Sequence, residues 1–459
     1  MSLTVLLVSV LLVVFAGWAS GMPEEDEVVT VDCARRHQTV HGFGTCLISW
    51  KADVKALYAK DEFRERYIHD LGASMVRLPL IPEVLPDEVE DPADITYEEF
   101  DFGHQNMEPL LEFAAAVHAD NPDRNKVIGS VWSPPAWMKT NDQTTEGGHL
   151  RGDRYEHYAH YLAEWARGVE AEYGFPFYGI SIQNELYFRE PYNSCVYTPE
   201  EFRDAVKAVG DRFEELGLET RVMGPEDMTK FPDRVMGYVD AVMEDSRAAP
   251  HLDIVCSHGY ADGIVSAGSA EENSALWDRV KEYDRQLWMT ETSGEEPSWP
   301  RGALNRLGGK LHNALVYGNI SGWSYWQITD VASARVYALM NMAAPTKKYF
   351  VSKHFFRFIR PGAVRVEASP DGAPVSVSAF VHEEDGTLTV VLLNRRGEST
   401  LVGLEFTGGC EVREFATYRT SEGEDCARLA ETPVVGGKAD VSMPAWSIVT
   451  LHGKFRARP

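Results

Sequence analysis

Between residues 38 and 359 short apolar runs alternate with longer stretches whose apolar positions recur every three to four residues. The short runs Thr39–Gly44, Met75–Leu80, Val127–Ser133, Tyr178–Asn184, Arg221–Gly224, Asp253–His258, Gln286–Thr290 and Gly322–Gln327 read as strands. The longer stretches, among them Glu108–Ala119, Tyr155–Tyr173, Pro199–Leu216, Arg234–Glu244, Glu271–Tyr283, Ala303–Tyr317 and Lys348–Phe358, read as helices. Eight strands alternating with helices over about 320 residues imply an α/β fold closed into a (β/α)₈ TIM barrel. A doubly wound open sheet is the other arrangement of this alternation, but no Gly-rich phosphate loop follows the first strand.

After Pro361 the period changes to two. The runs Val375–Val381, Thr387–Leu393 and Ser447–His452 are separated by Asp385-Gly386, Arg396-Gly397 and Gly436-Gly437, which predicts a C-terminal antiparallel β-sandwich module. The early run Val28–Cys33 has the same character and is expected to add an N-terminal strand to it. The chain thus divides into a barrel over 36–360 and a β module over 27–35 and 361–459. No low-complexity linker separates them, so they are expected to pack closely.

Composition narrows the function. The formal charge is −26, and residues 1–23 carry no charged side chain, so the excess belongs to the folded part. Such a surface repels nucleic acid and anionic membranes, and neither is an expected partner. Leu3–Ala16 form an apolar stretch too short to span a bilayer, followed by Gly17, Ala19, Ser20 and Gly21 and then Glu24-Glu25-Asp26. This predicts a signal peptide over 1–21 and a secreted, extracellular or periplasmic, monomeric protein. A basic segment before the apolar stretch is missing, and an uncleaved anchor is the alternative. The six cysteines show no zinc spacing, so no metal site is expected; Cys410 and Cys426 pairing inside the module, or buried free thiols, are both open. Eleven Trp and nineteen Tyr suit a ligand with flat apolar faces, as sugar rings have.

In a βα barrel the carboxyl ends of the strands line the active site. Those ends carry Arg77, Trp132, Asn184-Glu185, Glu226-Asp227, His258 with Tyr260, Glu291 and Trp326-Gln327. A carboxylate directly after an apolar strand is costly unless paired or functional, and Glu185 and Glu291 occupy such positions on strands four and seven. Glycosyl transfer needs a pair of this kind, one acid to protonate the leaving oxygen and one carboxylate to attack. Asn184 is placed to hydrogen-bond a sugar hydroxyl, Arg77 to hold Glu291 ionised, and His258 and Tyr260 to orient it. Trp132, Trp137 and Trp326 are candidate sugar platforms, with at least one expected to be core. Glu226 and Asp227 form a rival pair, but Pro225 and Met228 beside them suggest a loop.

At these residues the chain resembles glycoside hydrolase family 30. The resembling stretches are His41-Gly42-Phe43-Gly44, Arg77-Leu78-Pro79, Trp132-Ser133-Pro134-Pro135-Ala136-Trp137-Met138-Lys139, Ser181-Ile182-Gln183-Asn184-Glu185, Trp288-Met289-Thr290-Glu291 and the junction Lys353–Gly362. The resemblance implies a retaining β-glycosidase, with Glu185 matching the acid/base, Glu291 the nucleophile, the β module part of the catalytic unit, and no metal or organic cofactor. Family substrates include xylan, β-1,6-glucan, galactan, fucosides and glucosylceramide. The Arg-rich segment after strand eight of glucuronate-reading members is not matched by Gln327–Tyr337, where Arg335 is expected to face solvent. Trp326-Gln327 also departs from the Trp-Asn of the glucosylceramidase-like branch. A polysaccharide substrate is therefore expected; the alternatives are a glucosylceramidase-like or exo-acting glycosidase, and a carbohydrate-binding protein without activity.

Overall fold

The computed structural model describes residues 28–260, 268–372 and 375–457; the segment expected as a signal peptide lies outside them. Its strands begin with β1 (Val28–Thr39) and continue with β2 (Gly42–Cys46), β3 (Met75–Leu80), β4 (Lys126–Val131), β5 (Gly179–Ser181), β6 (Arg221–Asp227), β7 (Leu252–His258), β8 (Gln286–Glu291) and β9 (Gly322–Tyr325). Strands β2 to β9 close in sequence order into a parallel barrel. Where β2 meets β3 the backbones nearly touch: a Cβ on Gly44 would fall on the Met75 carbonyl, so only glycine fits.

The crossover helices follow the local signals. Pro199–Leu216 begins with a capping box, in which Thr198 accepts from the Glu201 N–H and Glu201 from the Thr198 N–H. It ends on Gly217 at φ 64°.

The barrel interior is stratified. Met75, Ile128, Met223, Ile254, Cys256 and Trp288 form a buried apolar floor. Further along the same strands the interior turns polar, with Arg77, Ser130, Glu226, His258 and Glu291 all buried. On β3, β4 and β7 the step from floor to polar layer is two residues, as strand alternation requires. On β6 and β8 it is three, from Met223 to Glu226 and from Trp288 to Glu291. Both strands accommodate the extra residue by a shift of register, between Pro225 and Asp227 on β6 and between Met289 and Glu291 on β8. Such bulges re-aim a side chain to the other face of its strand, and here they turn two carboxylates inward.

The β module is one sheet system in which β1 lies between Val364–Ser369, antiparallel, and Thr400–Thr407, parallel. Val29, Val31 and Cys33 from β1 join Val377, Val390, Leu404 and Leu451 in the module core. Cys33 pairs with Cys410 across a Cα–Cα distance of 5.9 Å, and Cys426 is a buried free thiol, so the Cys410–Cys426 pairing does not form. The cause is the parallel register: it runs from Val28 opposite Gly403 to Asp32 opposite Thr407, which brings Cys33 to the turn before Cys410. Gly408 in that turn has φ +68°, and a Cβ there would collide with the Asp32 carboxylate.

Barrel and module meet along the helix Lys347–Phe356. His354 is fully buried there, with Nδ1 2.8 Å from Thr450 Oγ1 and Nε2 2.8 Å from Thr420 Oγ1. Burial, with a smaller push from Lys353, lowers its pKa from 6.5 to about 3. Between those values the unfolded chain holds a proton that the folded one lacks, so the stability present above pH 6.5 is lost as pH falls toward 3. The denaturant midpoint should fall over that interval, and His354→Gln should flatten the slope; equal slopes in both proteins would remove His354 from the account. No helix among the described residues is long and apolar enough to cross a membrane.

Candidate active site

The polar layer is organised around one guanidinium. Arg77, 1 % exposed, donates from Nη1 to Glu291 Oε2 at 2.8 Å and to Cys46 Sγ at 3.3 Å. From Nη2 it donates to Asn184 Oδ1 at 2.6 Å, Ser130 Oγ at 2.9 Å and Glu226 Oε2 at 3.2 Å, and from Nε to Glu226 Oε1 at 3.2 Å. Glu226, expected in a loop, is thus inside the barrel. Burial pushes its carboxyl up, but the charges of Arg77 and His258, with hydrogen bonds from Arg77 and Ser130, more than offset this and hold it low. Asp227 diverges from it: its carboxylate caps Thr229 N–H at 2.8 Å and pairs with Arg234 at 3.0 Å, so the two do not form a pair. Replacing Arg77 by Met leaves two buried carboxylates without their cation and should cost about 3–5 kcal/mol. Calorimetry of Arg77→Met checks this; a melting temperature unchanged from wild type would refute it.

Glu185 follows β5. The strand ends at Ser181, but the ladder continues irregularly: Asn184 N–H donates to Val131 O at 2.7 Å and Glu185 N–H to Glu226 O at 3.0 Å. Glu185 has φ 47°, in the left-handed region, which a non-glycine residue seldom occupies. Its Oε1 lies 3.1 Å from His258 Nδ1, while Glu291 Oε1 lies 4.0 Å from the same nitrogen. His258 therefore stands between the two glutamates, nearer Glu185, rather than serving the strand-seven carboxylate alone. Tyr260 donates its hydroxyl to Glu291 Oε1 at 2.8 Å. Burial pushes the Glu291 carboxyl up; His258 and Arg77 pull it down, and Glu185 adds to the rise. Burial pulls His258 down, but Glu291 and Glu185 more than compensate and its pKa is raised. The net result is a Glu291 carboxyl held above its ordinary range, chiefly by burial, beside an imidazole held above its own by the Glu291 charge.

Glu185, His258 and Glu291 each offer a donor atom, and these atoms lie within 4.8 Å of one another. A divalent cation fits such a set in ligand type, but the fixed charge of Arg77 bonded to Glu291 opposes it. The arrangement suits proton transfer and attack by a carboxylate.

The aromatic candidates separate. Trp132 and Trp326 are stacked at 5.4 Å, and Trp50 joins them at 5.7 Å and 5.8 Å. Tyr192 packs on Trp132 at 5.7 Å, and burial with Glu190, Glu185 and Glu291 nearby pushes its hydroxyl up. Trp137 is buried elsewhere, edge-on to His157 at 5.7 Å with Arg154 over its ring, and makes no ring contact with the cluster. Trp50 and Tyr192 escaped the reading of strand ends because they lie four residues past β2 and seven past Glu185; exposed aromatics in strand-end loops were the available signal. Arg335 is exposed and paired with Glu296 at 2.9 Å.

The model of the glycosyl hydrolase family 30 TIM-barrel domain matches residues 42–308, and that of the family's beta sandwich domain matches 362–451. The chain belongs to glycosyl hydrolase family 30. It is a glycoside hydrolase, a class that cleaves glycosidic bonds. The glucuronoxylanase XynC of Bacillus subtilis (strain 168) is 24% identical over 436 residues, covering 92% of this chain and 91% of that protein. A putative glucosylceramidase 1 of Caenorhabditis elegans is 25% identical over 418 residues, covering 83% and 77%. Among solved structures, the family 30 subfamily 8 xylanase Xyn30A from Clostridium acetobutylicum superposes with a TM-score of 0.75 at 23% identity, covering 93% of this chain and 99% of that one. The family's barrel-and-module architecture is that of this chain.

Proposed function

We propose that this protein is a secreted retaining β-glycosidase that cleaves a β-linked polysaccharide by double displacement. The observation that carries the mechanism is the spacing of the two carboxyl groups, whose nearest oxygens lie within 4.8 Å through the shared His258. Retention needs roughly 5–5.5 Å between the groups, whereas inversion leaves roughly 6.5–9.5 Å for a water.

The hydrogen bonds distribute the roles. Both oxygens of Glu291 accept, one from Arg77 and one from Tyr260, and these contacts stabilise its carboxylate against the burial that raises its pKa. Glu185, which meets His258 and not the guanidinium, takes the other role, that of proton donor. In the first step a Glu291 oxygen bonds to the anomeric carbon as the bond to the leaving oxygen breaks, and Glu185 delivers its proton to that oxygen. In the second, Glu185 removes a proton from water as the water oxygen attacks the same carbon and expels Glu291. Asn184 has its Oδ1 occupied by Arg77, so its amide N–H groups face the substrate as donors. Trp132 and Trp326 supply the apolar wall. The Cys33–Cys410 disulfide supports folding in an oxidising compartment, in keeping with export.

A 2-fluoro glycoside with an activated leaving group should label the protein covalently, and peptide mapping should find the label on Glu291. Labelling at Glu226 would move the nucleophile; an inverted anomer in the first-formed product, read by proton NMR, would overturn retention.

A further inference from the structure

The cluster of Trp50, Trp132 and Trp326, with Tyr192, lines a cavity of about 650 Å³. Trp50 keeps 50% of its surface exposed although its ring stacks on Trp326, so an apolar face is left open toward the cavity. The lining also carries polar groups, among them Glu83 and Asn193, with Asn193 Nδ2 3.4 Å from Glu83 Oε1. Among the described lining residues none is Lys, Arg or His.

Three cations near these elements in the chain are paired with other groups. Lys51, next to Trp50 in sequence, sits 2.6 Å and 2.8 Å from the two oxygens of Asp330. Lys55 donates to Gln105 O at 2.7 Å and to Asn106 Oδ1 at 2.5 Å. Arg335, after β9, is bound to Glu296 at 2.9 Å.

We propose that this cavity is a further sugar subsite that selects a neutral sugar, in which Trp50 stacks on the ring and Glu83 accepts from its hydroxyls, so that the substrate is an uncharged glycan. The inference rests on the glycosidase reading of Glu185 and Glu291 and adds the substrate's charge class to it. A carboxylate accepts two hydroxyl hydrogen bonds readily, and an indole face matches the C–H face of a pyranose. A uronate brought to the same place meets a like charge beside a low-dielectric aromatic wall, on a protein whose net charge is already −26. Substrates decorated with glucuronic acid, which the name glucuronoxylanase implies for the Bacillus subtilis relative, are disfavoured here.

The test uses the whole protein and three probes: β-1,4-xylotetraose, a β-1,6-linked glucotetraose, and xylotetraose bearing one methylglucuronic acid branch. At low salt the better neutral oligomer should exceed the branched one in kcat/KM by roughly tenfold or more, and the gap should narrow in about 0.5 M NaCl as the repulsion is screened. Glu83→Gln should reduce that selectivity ratio about fivefold, a change a merely misfolded variant would not produce. Trp50→Ala should raise KM for the neutral oligomer far more than it lowers kcat, and Trp50→Phe should restore most of the loss. A preference for the uronate-bearing oligomer, an unchanged ratio in Glu83→Gln, or no cleavage of either neutral oligomer overturns the proposal. An aryl monoglycoside separates the two levels: if it labels Glu291 while the oligomers give any of these results, only the subsite falls. If it neither turns over nor labels, the glycosidase reading falls with it.

Discussion

If Glu291 forms the covalent bond as proposed, Glu291→Ala should lower kcat/KM on aryl β-glycosides by roughly 10⁵-fold, about 7 kcal/mol of transition-state stabilisation. Glu226, the rival nucleophile, is held by the Arg77 guanidinium and by Ser130. The fold should survive, since Arg77 keeps Glu226, Ser130 and Asn184 as partners when Glu291 is gone. The space left by the side chain should admit azide, which attacks the anomeric carbon from the face Glu291 used. Restored turnover with an α-glycosyl azide as product would place the nucleophile at this residue. Residual activity within a hundredfold of wild type, or a β-azide, would assign the role elsewhere.

Glu185→Gln should separate substrates by leaving group. Alkyl glycosides and oligosaccharides depart as poor leaving groups and need the proton, so kcat/KM for them should fall by about 10³-fold, within the usual range of general acid catalysis. Glycosides of acidic phenols depart without help and should keep their first step within about tenfold of wild type. Their second step lacks the base that activates water, so the glycosyl-enzyme should accumulate and a burst of phenol should precede slow turnover. His258 gives an internal control. Its Nδ1 lies 3.1 Å from Glu185 Oε1, and its raised pKa depends on the carboxylates beside it. An amide at position 185 replaces a carboxyl that helps to raise it, so the His258 titration should move down, as proton NMR of the ring can follow. Equal losses for both substrate types would detach Glu185 from proton donation.

Much of this was legible along the chain because the signals are local. The helix Pro199–Leu216 is bounded by Thr198 and Glu201 at one end and Gly217 at the other, and each acts on backbone groups within a few residues. The eight barrel strands announce themselves as apolar runs, since a strand buried on both faces has nothing else to be. Glu185 and Glu291 stand out for the same reason, as charges where the pattern calls for apolar residues. The strand β1 was visible by alternation, with Val29, Val31 and Cys33 buried every second residue.

Other features depended on geometry that no local window contains. Glu226 reads as a loop residue because Pro225 and Met228 flank it, and only the barrel's closure shows a bulge on β6 turning its carboxylate onto Arg77. The partner of Cys410 was set by a parallel register between strands more than 360 residues apart, which the spacing of cysteines cannot encode. Trp137 shares a motif with Trp132, yet their rings face different surroundings, and Trp50 enters the site from a loop the motif does not include. The sequence by itself determined the elements, their order and the two glutamates, because turn chemistry, strand burial and misplaced charge act over a few residues. The tertiary structure decided what the strand ends left open, that His258 lies nearer Glu185 than Glu291, that Glu226 joins Arg77 and that Trp50 joins Trp132 and Trp326, because these groups come from separate strands and loops that meet only when the barrel closes.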